Sequence, residues 1–224
     1  NFAGNSVPMN IRGGLGRQQI YPMLAAYCVG LSQNLNIVKM NQAARRHVTP
    51  RGRMKLVVGI KETTIIDDTY NSSPVAVREA LETLKLVKTS GRKIAVLGDM
   101  LELGKFSFDA HEEAGKHASK IVDVLMTVGV RARQIADGAL DGGLDENNVY
   151  QFDEAREAGR FLQDTIKSGD VILIKGSQSI RMERTVEEIM AFPEEAEKTL
   201  VRQDRLFSLI GKYISLIVGA GTKR

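Results

Sequence analysis

Carboxylates, hydroxyls and an amide crowd into one short stretch of this sequence, Asp67 to Ser73. The stretch follows the β-branched run Thr63 to Ile66, which favours a buried strand, and precedes Pro74, which suits the first turn of a helix. In an open α/β sheet, ligands bind where strands end in such turns. An ordinary helix cap, with Ser72 or Ser73 as the N-cap, is the alternative interpretation of the same residues.

Two further polar turns follow apolar runs. Asp99 and Glu102 lie on a glycine-flanked loop, where their carboxylates can accept hydrogen bonds from an amine or orient a basic partner. Lys175 and Ser177 stand at a strand-to-helix turn, where a lysine charge and helix N–H groups together hold an anion. A turn with a cap, or a surface lysine before a capping serine, also fits these patterns. Since parallel strands end at one sheet edge, we expect Asp68, Glu102 and Lys175 to meet there.

Short apolar strands alternate with amphipathic helices along most of the chain, which predicts an α/β fold with a Rossmann-like, doubly wound, mostly parallel sheet. We expect its crossovers to be right-handed. The predicted strands cover residues 54–60, 63–66, 94–97, 122–128, 149–152 and 171–174. The predicted helices cover residues 20–31, 37–46, 74–87, 110–120, 131–140, 154–166 and 182–190.

Pro50 and Gly52, within Thr49 to Arg53, interrupt the alternation of strands and helices and predict a domain boundary. We therefore divide the chain into residues 1–50, the end of one folded unit, residues 51–192, an α/β domain, and residues 193–224, a helical tail of unknown role. The apolar part of the tail is too short to span a bilayer, which needs roughly 20 apolar residues. The chain begins with Asn1 rather than Met, so we expect a fragment of a longer protein.

Composition and motif searches exclude several classes of protein. The net charge of +4 comes without an aromatic-interleaved basic stripe, which argues against a nucleic-acid partner. The single cysteine excludes a disulfide framework and a cysteine zinc site, and favours a reducing cytoplasm. His111 and His117 are not spaced as a helical metal-binding pair, so no metal ligands are predicted. A Walker A loop is absent, and Gly14-x-Gly16 lacks the final glycine of a dinucleotide fingerprint.

Three motifs, in the right order and spacing, closely resemble the Mur ligase family. They are Ile66-Asp-Asp-Thr-Tyr-Asn-Ser-Ser-Pro74, Val96-Leu-Gly-Asp-Met-Leu-Glu-Leu-Gly104 with His111 beyond it, and Leu173-Ile-Lys-Gly-Ser177 with Arg181-Met-Glu183. The resemblance covers about residues 16–190 and implies an ATP-dependent ligase that joins a carboxylate to an amine through an acyl-phosphate. The motifs fit best the branch that adds D-alanyl-D-alanine to UDP-N-acetylmuramoyl-tripeptide in peptidoglycan synthesis. Folylpolyglutamate and cyanophycin synthetases fit the second motif less well.

The resemblance also implies roles for individual residues. Asp68 is expected to bind the nucleotide ribose, Arg53 to reach the phosphates, and Tyr70 and Asn71 to lie near the base or the incoming dipeptide. The residues expected to bind the other substrates are Ser72, Asp99, Glu102, Lys175 and Ser177. Gln178 stands where the family often has arginine, so the dipeptide binding that the resemblance implies is less well supported by this sequence.

The family's P-loop, magnesium ligands, modified active-site lysine and UDP-sugar-binding domain have no counterpart in this sequence. The resemblance therefore implies ATP and Mg²⁺ for the intact enzyme, with no metal ligand and no catalytic residue supplied by this chain, which we expect to be inactive alone. The implied partners are UDP-N-acetylmuramoyl-tripeptide and D-alanyl-D-alanine, for a cytoplasmic monomer without membrane insertion. A non-catalytic nucleotide- or peptide-binding module remains the alternative.

Overall fold

The computed structural model describes residues 8–9 and 11–203, and six strands of this part form one sheet. The strands are β1 (Lys55–Val58), β2 (Thr64–Asp68), β3 (Lys93–Gly98), β4 (Val124–Val128), β5 (Val149–Phe152) and β6 (Val171–Lys175). Their order is β1-β2-β6-β3-β4-β5, with β1 antiparallel to β2 and the other neighbours parallel. The predicted mostly parallel α/β fold is confirmed. The direction of β1 was not predicted, because residue alternation does not encode strand direction.

Helices cover both faces of the sheet. The helices of the described residues are α1 (Ile20–Ser32), α2 (Ile37–Ala44), α3 (Pro74–Leu86), α4 (Ser107–Ala118), α5 (Arg133–Asp141), α6 (Ala155–Thr165), α7 (Glu183–Ile189) and α8 (Ala196–Thr199). Helices α3, α4 and α5 bury their apolar sides in one core layer, and α6, α7 and α8 contribute to the other. The return from β5 through α6 places β6 between β2 and β3, so the sheet is doubly wound as predicted.

The start of α3 shows how the sequence builds the turn after β2. The Ser73 hydroxyl accepts a hydrogen bond from Ala76 N, which makes Ser73 the N-cap, and Pro74 occupies the first turn, where a missing N–H costs nothing. The buried positions Val77, Ala80, Leu81 and Leu84 recur at helical spacing and pack onto the sheet. The end of β2 is therefore fixed at one side by a well-anchored helix.

The polypeptide before β1 lies beside the turn after β2. Leu15 N donates to Met54 O at 3.0 Å, and Gln19 Nε2 donates to Arg53 O at 2.7 Å. Gly52 has φ +63°, and a Cβ there would lie 2.9 Å from Tyr70 N. Glycine at this position allows the link to approach the turn closely.

Residues 193–203, the first part of the predicted tail, pack against the sheet. Ala196 and Leu200 join the core layer of α6 and α7, and Val201 is also buried. The apolar run at 206–217, which we predicted to be helical, lies outside the described residues.

Candidate functional site

The three predicted polar turns share one edge of the sheet. Asp68 ends β2 and Lys175 ends β6, and the two residues are register partners. Glu102 follows β3, which pairs with the other side of β6 in the same direction. Because β2, β6 and β3 are adjacent and parallel, their following turns emerge together, as the strand pattern predicted.

Asp68 and Lys175 form a buried ion pair at this edge. Lys175 Nζ lies 2.7 Å from Asp68 Oδ2 and 2.8 Å from the carbonyl oxygen of Asn71. Met54 N donates to the other carboxylate oxygen of Asp68 at 3.1 Å. Lys175 is only 2% exposed, so its charge depends on these partners. The structure thus joins a residue expected to bind the amine substrate directly to the residue expected to bind ribose.

A cavity of about 710 Å³ opens beside this pair. It lies between the segment before β1 and the first turns of α3, and its size falls in the roughly 300–1,000 Å³ range of small-molecule sites. Its lining residues are Arg17, Gln18, Gln19, Tyr21, Pro22, Pro50, Arg53, Met54, Asp68, Ser73, Val75, Ala76, Glu79 and Lys175. Arg53, Asp68 and Lys175, three of the residues singled out from the sequence, therefore line one cavity.

Tyr70 and Arg53 stack beside the cavity. The Arg53 guanidinium carbon lies 4.1 Å from the centroid of the Tyr70 ring, within the range of a cation–π contact. Tyr70 is 45% exposed, so its ring remains accessible. An exposed aromatic face next to a guanidinium offers a stacking surface and an anion contact to a planar, charged ligand.

Asn71 and Ser72 complete the turn. The Asn71 side-chain oxygen accepts a hydrogen bond from Ser72 N at 2.8 Å, which fixes the turn locally. Ser72 is 7% exposed, and its hydroxyl has no hydrogen-bond partner among the described residues. Buried hydroxyls are normally paired, so this oxygen is suited to a water or a ligand.

Asp67 has a different role from its neighbour Asp68. Its carboxylate is fully buried and accepts hydrogen bonds from Gly52 N at 3.2 Å and from the Thr69 hydroxyl at 2.6 Å. Burial raises the pKa of Asp67 to about 6, although the hydrogen bonds from Thr69 and Gly52 favour its charged form. Asp67 ties the link before β1 to the turn after β2, while Asp68 faces the cavity.

Asp99 connects the end of β3 to the start of α5. The residue is 3% exposed, and its Oδ1 accepts a hydrogen bond from Ala132 N at 2.7 Å, just before α5. Arg131 Nη1 lies 3.7 Å from the other oxygen. A Cβ on Gly129 would lie 2.6 Å from Asp99 Oδ1, so the fit around this carboxylate is close. The structure encloses this predicted substrate-binding residue among protein groups.

Ser177 and His111 hold the turn after β3 from two sides. The Ser177 hydroxyl accepts a hydrogen bond from Leu101 N at 2.9 Å. His111 is fully buried; its Nε2 accepts from Met100 N at 2.9 Å, and its Nδ1 donates to Ser107 O at 2.6 Å. His111 therefore acts as a local hydrogen-bonding residue and not as a ligand-facing one.

Glu102, in the same turn, differs from these buried residues. It is exposed, has φ +65°, and its carboxylate makes no side-chain hydrogen bond within the described residues. Few non-glycine residues adopt this backbone conformation. Glu102 is therefore the acidic group of this turn that is accessible to a ligand.

Gln19, Tyr21 and Arg202 lie near the site, and no motif in the sequence predicted a role for them. Gln19 and Tyr21 line the cavity from the segment before β1. Arg202 reaches the turn after β2 from beyond α8. The motif Arg181-Met-Glu183 contains Glu183, the ion-pair partner of Arg202, but no feature of the sequence around Arg202 predicted its contacts.

A doubly wound parallel sheet with a charged cavity at its carboxyl edge defines the Rossmann-like class of ligand-binding domains. A sequence model described as the Mur ligase, glutamate ligase domain matches residues 52–178, more than half of the chain. The chain belongs to the Mur ligase family.

Individual relatives agree with this assignment. The chain is 31% identical over 142 residues to the UDP-N-acetylmuramoyl-tripeptide–D-alanyl-D-alanine ligase of Bacillus subtilis (strain 168), covering 63% of this chain and 31% of that protein. It is 31% identical over 186 residues to the ligase of the same name from Mycobacterium leprae (strain TN), covering 75% and 36%. The crystal structure of MurF ligase from Thermotoga maritima in complex with ADP matches with a TM-score of 0.68 at 28% identity, covering 85% and 41%. The chain spans about a third of the length of these curated relatives.

The described residues contain neither a metal-binding cluster nor a helix that could cross a membrane. Within residues 8–9 and 11–203, no three His, Cys, Asp or Glu side chains are grouped so that they could hold a metal ion. In the same part of the chain, no helix combines the length and apolar character needed to cross a bilayer.

Proposed function

We propose that this chain is the C-terminal part of an ATP-dependent ligase that adds D-alanyl-D-alanine to UDP-N-acetylmuramoyl-tripeptide in peptidoglycan synthesis. The observation that carries the proposal is the cavity shared by Arg53, Asp68 and Lys175 in a chain of the Mur ligase family. The names of the curated relatives and the ADP held by the Thermotoga maritima structure support this choice of reaction and nucleotide. The cytoplasmic setting and the monomeric state are parts of the same proposal.

The nucleotide is proposed to bind in the cavity. Asp68 accepts one hydrogen bond per oxygen from the protein, and each carboxylate oxygen can accept a second from a ribose hydroxyl. Lys175 holds this carboxylate in place through the 2.7 Å ion pair rather than contacting the amine substrate. Arg53, exposed at the cavity wall, supplies a guanidinium for phosphate oxygens. Tyr70 and Asn71 lie where a base or the incoming dipeptide would approach.

The amine substrate is proposed to approach the turn after β3. Glu102 is exposed there and can accept hydrogen bonds from an ammonium group. Ser72 offers a hydroxyl with no protein partner among the described residues. Asp99 and Ser177 act through the backbone, because their side chains bind Ala132 N and Leu101 N. They position this turn for the substrate.

The chemical step is not assigned to this chain. A magnesium ion prefers several oxygen ligands, and the described residues do not offer a suitable cluster, so they do not fit the metal. We propose that the phosphoryl chemistry of the intact ligase uses residues that this sequence does not contain. The described domain then contributes by orienting nucleotide and amine, which can supply a large part of the rate enhancement in a two-substrate reaction.

Two measurements test the proposal. Calorimetric titration of the chain with ADP should show saturable binding, and Asp68→Ala should weaken it by at least about tenfold, the effect of losing roughly 1.4 kcal/mol. Arg133→Ala is the matched control, because Arg133 pairs with the exposed Asp153 away from the cavity. No binding by the wild-type chain, or equal binding by Asp68→Ala, would contradict the nucleotide site.

The ligase reaction is tested separately on the longest natural polypeptide that contains this sequence. With ATP, Mg²⁺ and UDP-N-acetylmuramoyl-tripeptide present, phosphate release should require D-alanyl-D-alanine. Nucleotide binding without any amine-dependent phosphate release would favour the non-catalytic binding module instead.

A further inference from the structure

The short segment from Thr199 to Arg202 reaches the candidate site from beyond residues 52–178, the part that matches the family. We propose that Arg202 is a positioning residue that fixes the turn Thr69 to Asn71 in its ligand-binding conformation. The inference rests on the proposed function, because this turn is the proposed nucleotide contact.

Arg202 donates hydrogen bonds to two successive backbone carbonyls of the turn. Its two terminal nitrogens donate to the carbonyl oxygen of Thr69 at 3.2 and 3.1 Å, and one of them also donates to the carbonyl oxygen of Tyr70. Its Nη1 donates to Glu183 Oε2 at 2.7 Å. The Arg202 side chain is 7% exposed, so most of the guanidinium is removed from water, although its bond to the Tyr70 carbonyl lies at the surface. A buried guanidinium fork that binds two successive carbonyls restricts the backbone between them.

Glu183 supplies the charge that makes this arrangement possible. It is fully buried at the start of α7 and pairs with Arg202 on one oxygen and with Arg181 on the other. Two guanidinium groups therefore share one carboxylate, which leaves one positive charge in excess next to the turn. Because each oxygen of Glu183 binds a different arginine, the carboxylate is held from two sides and provides a fixed anchor for Arg202.

The anchored turn carries the groups that face the ligand. Tyr70 N donates to Gly52 O at 3.0 Å, and the Arg202 guanidinium carbon lies 5.9 Å from the Tyr70 ring centroid. The Asn71 carbonyl, one residue further on, accepts the hydrogen bond from Lys175. Moving the turn would therefore disturb both the Arg53–Tyr70 stack and a partner of Lys175.

The segment itself is held firmly enough to act as a support. Leu200 is fully buried in the core layer with α6 and α7, and Lys55 Nζ donates to Thr199 O at 3.2 Å. Val201 Cγ1 lies 3.1 Å from where a Cβ on Gly52 would stand. These contacts fix Arg202 from β1 and from the sheet core. The turn is thus bound to an element far away in sequence.

The test compares Arg202→Ala with Arg156→Ala. Arg156 also pairs with two glutamates, Glu187 and Glu188, but it lies between α6 and α7 without contact to the turn. In the ligand-free chain, hydrogen–deuterium exchange at Thr69 to Asn71 should be at least about tenfold faster in Arg202→Ala than in the wild type, and unchanged in Arg156→Ala. The reason is that losing the Arg202 hydrogen bonds should raise the equilibrium constant for local opening of the turn by at least about tenfold. Calorimetry should show ADP affinity reduced by a similar factor in that variant. Arg202→Lys should recover part of both effects, and it replaces Arg202→Ala in the comparison if that variant does not fold.

The outcomes separate this inference from the proposed function. Unchanged exchange at Thr69 to Asn71 in a folded Arg202 variant would overturn the inference, even if ADP binds normally to the wild type. Faster exchange with unchanged ADP affinity would overturn it as well, because the turn would then not need positioning. Absence of ADP binding by the wild-type chain would overturn the proposed nucleotide site and this inference with it, whatever the exchange rates show.

Discussion

The turn after β2 and the turn after β3 begin alike in sequence but use their acidic residues differently. Each has a carboxylate at the end of its strand, with Asp68 as the last residue of β2 and Asp99 as the first residue after β3. Asp68 lines a cavity and pairs with Lys175, whereas Asp99 is enclosed and holds the start of α5 through Ala132 N. The difference comes from the neighbouring element: β6 brings a cation to Asp68, and α5 brings a backbone N–H to Asp99. The same local signal can thus mark a binding group or a structural one.

The largest expected effect comes from removing Lys175, the cation that pairs with Asp68 at the turn after β2. Lys175→Met keeps the length of the side chain but leaves Asp68 buried without its charged partner. We expect the free energy of unfolding to fall by about 3–5 kcal/mol, the usual effect of breaking a buried ion pair on one side. Urea denaturation measures this change. The double variant Asp68→Asn/Lys175→Met has neither charge and should recover at least half of the lost unfolding free energy. If Lys175→Met alone lowered the unfolding free energy by less than about 1 kcal/mol, the pair would not be buried as described.

A pH titration of stability tests the burial of Asp67, next to Asp68 at the end of β2. The pKa of Asp67 is raised from 3.8 to about 6 by burial, so the folded state binds its proton more tightly than the unfolded state. This contribution is fully present below about pH 4 and is lost as the pH rises through about 6, by up to about 3 kcal/mol. The difference in unfolding free energy between wild type and Asp67→Asn, measured from pH 4 to 7, should show this loss. A difference that does not change with pH would contradict the raised pKa.

The smallest expected effect is in the second turn. His111→Ala removes the acceptor of Met100 N and the donor to Ser107 O, and should lower the free energy of unfolding by about 1–3 kcal/mol. Because this turn does not line the cavity, ADP affinity should stay within about twofold, well under 1 kcal/mol. Glu102→Gln is the control in the same turn, since an exposed side chain should change stability by less than about 0.5 kcal/mol. A large loss of ADP affinity in His111→Ala would show that the two turns are coupled.

Local signals predicted the elements and the edge on which the turns meet. Hydrophobic periodicity gave the helices between residues 20 and 190 to within three residues, because each helix buries one regular face. The Ser73 cap and Pro74 predicted the start of α3, since these residues act on the nearest backbone groups. The shared sheet edge of Asp68, Glu102 and Lys175 followed from parallel strands that end together, although only Asp68 and Lys175 are in contact.

The pairing of individual side chains did not follow from these signals. Lys175 and Asp68 are 107 residues apart, and Arg202 lies 133 residues from Thr69. Nothing in the local sequence of either partner distinguishes such a pair from a solvated lysine or arginine. The enclosed position of Asp99 depends in the same way on α5, which is packed there by contacts of its own apolar face.

By itself, the sequence determined which segments become strands and helices and where polar turns stand between them, because those choices depend on neighbours a few residues away. The family motifs added the expected chemistry of the turns. Only the tertiary structure decided which carboxylate faces a cavity, which one binds the backbone before α5, and which distant arginine contacts the turn at Tyr70. The physical reason is that the free energy of a buried charge depends on partners that folding brings together from remote parts of the chain.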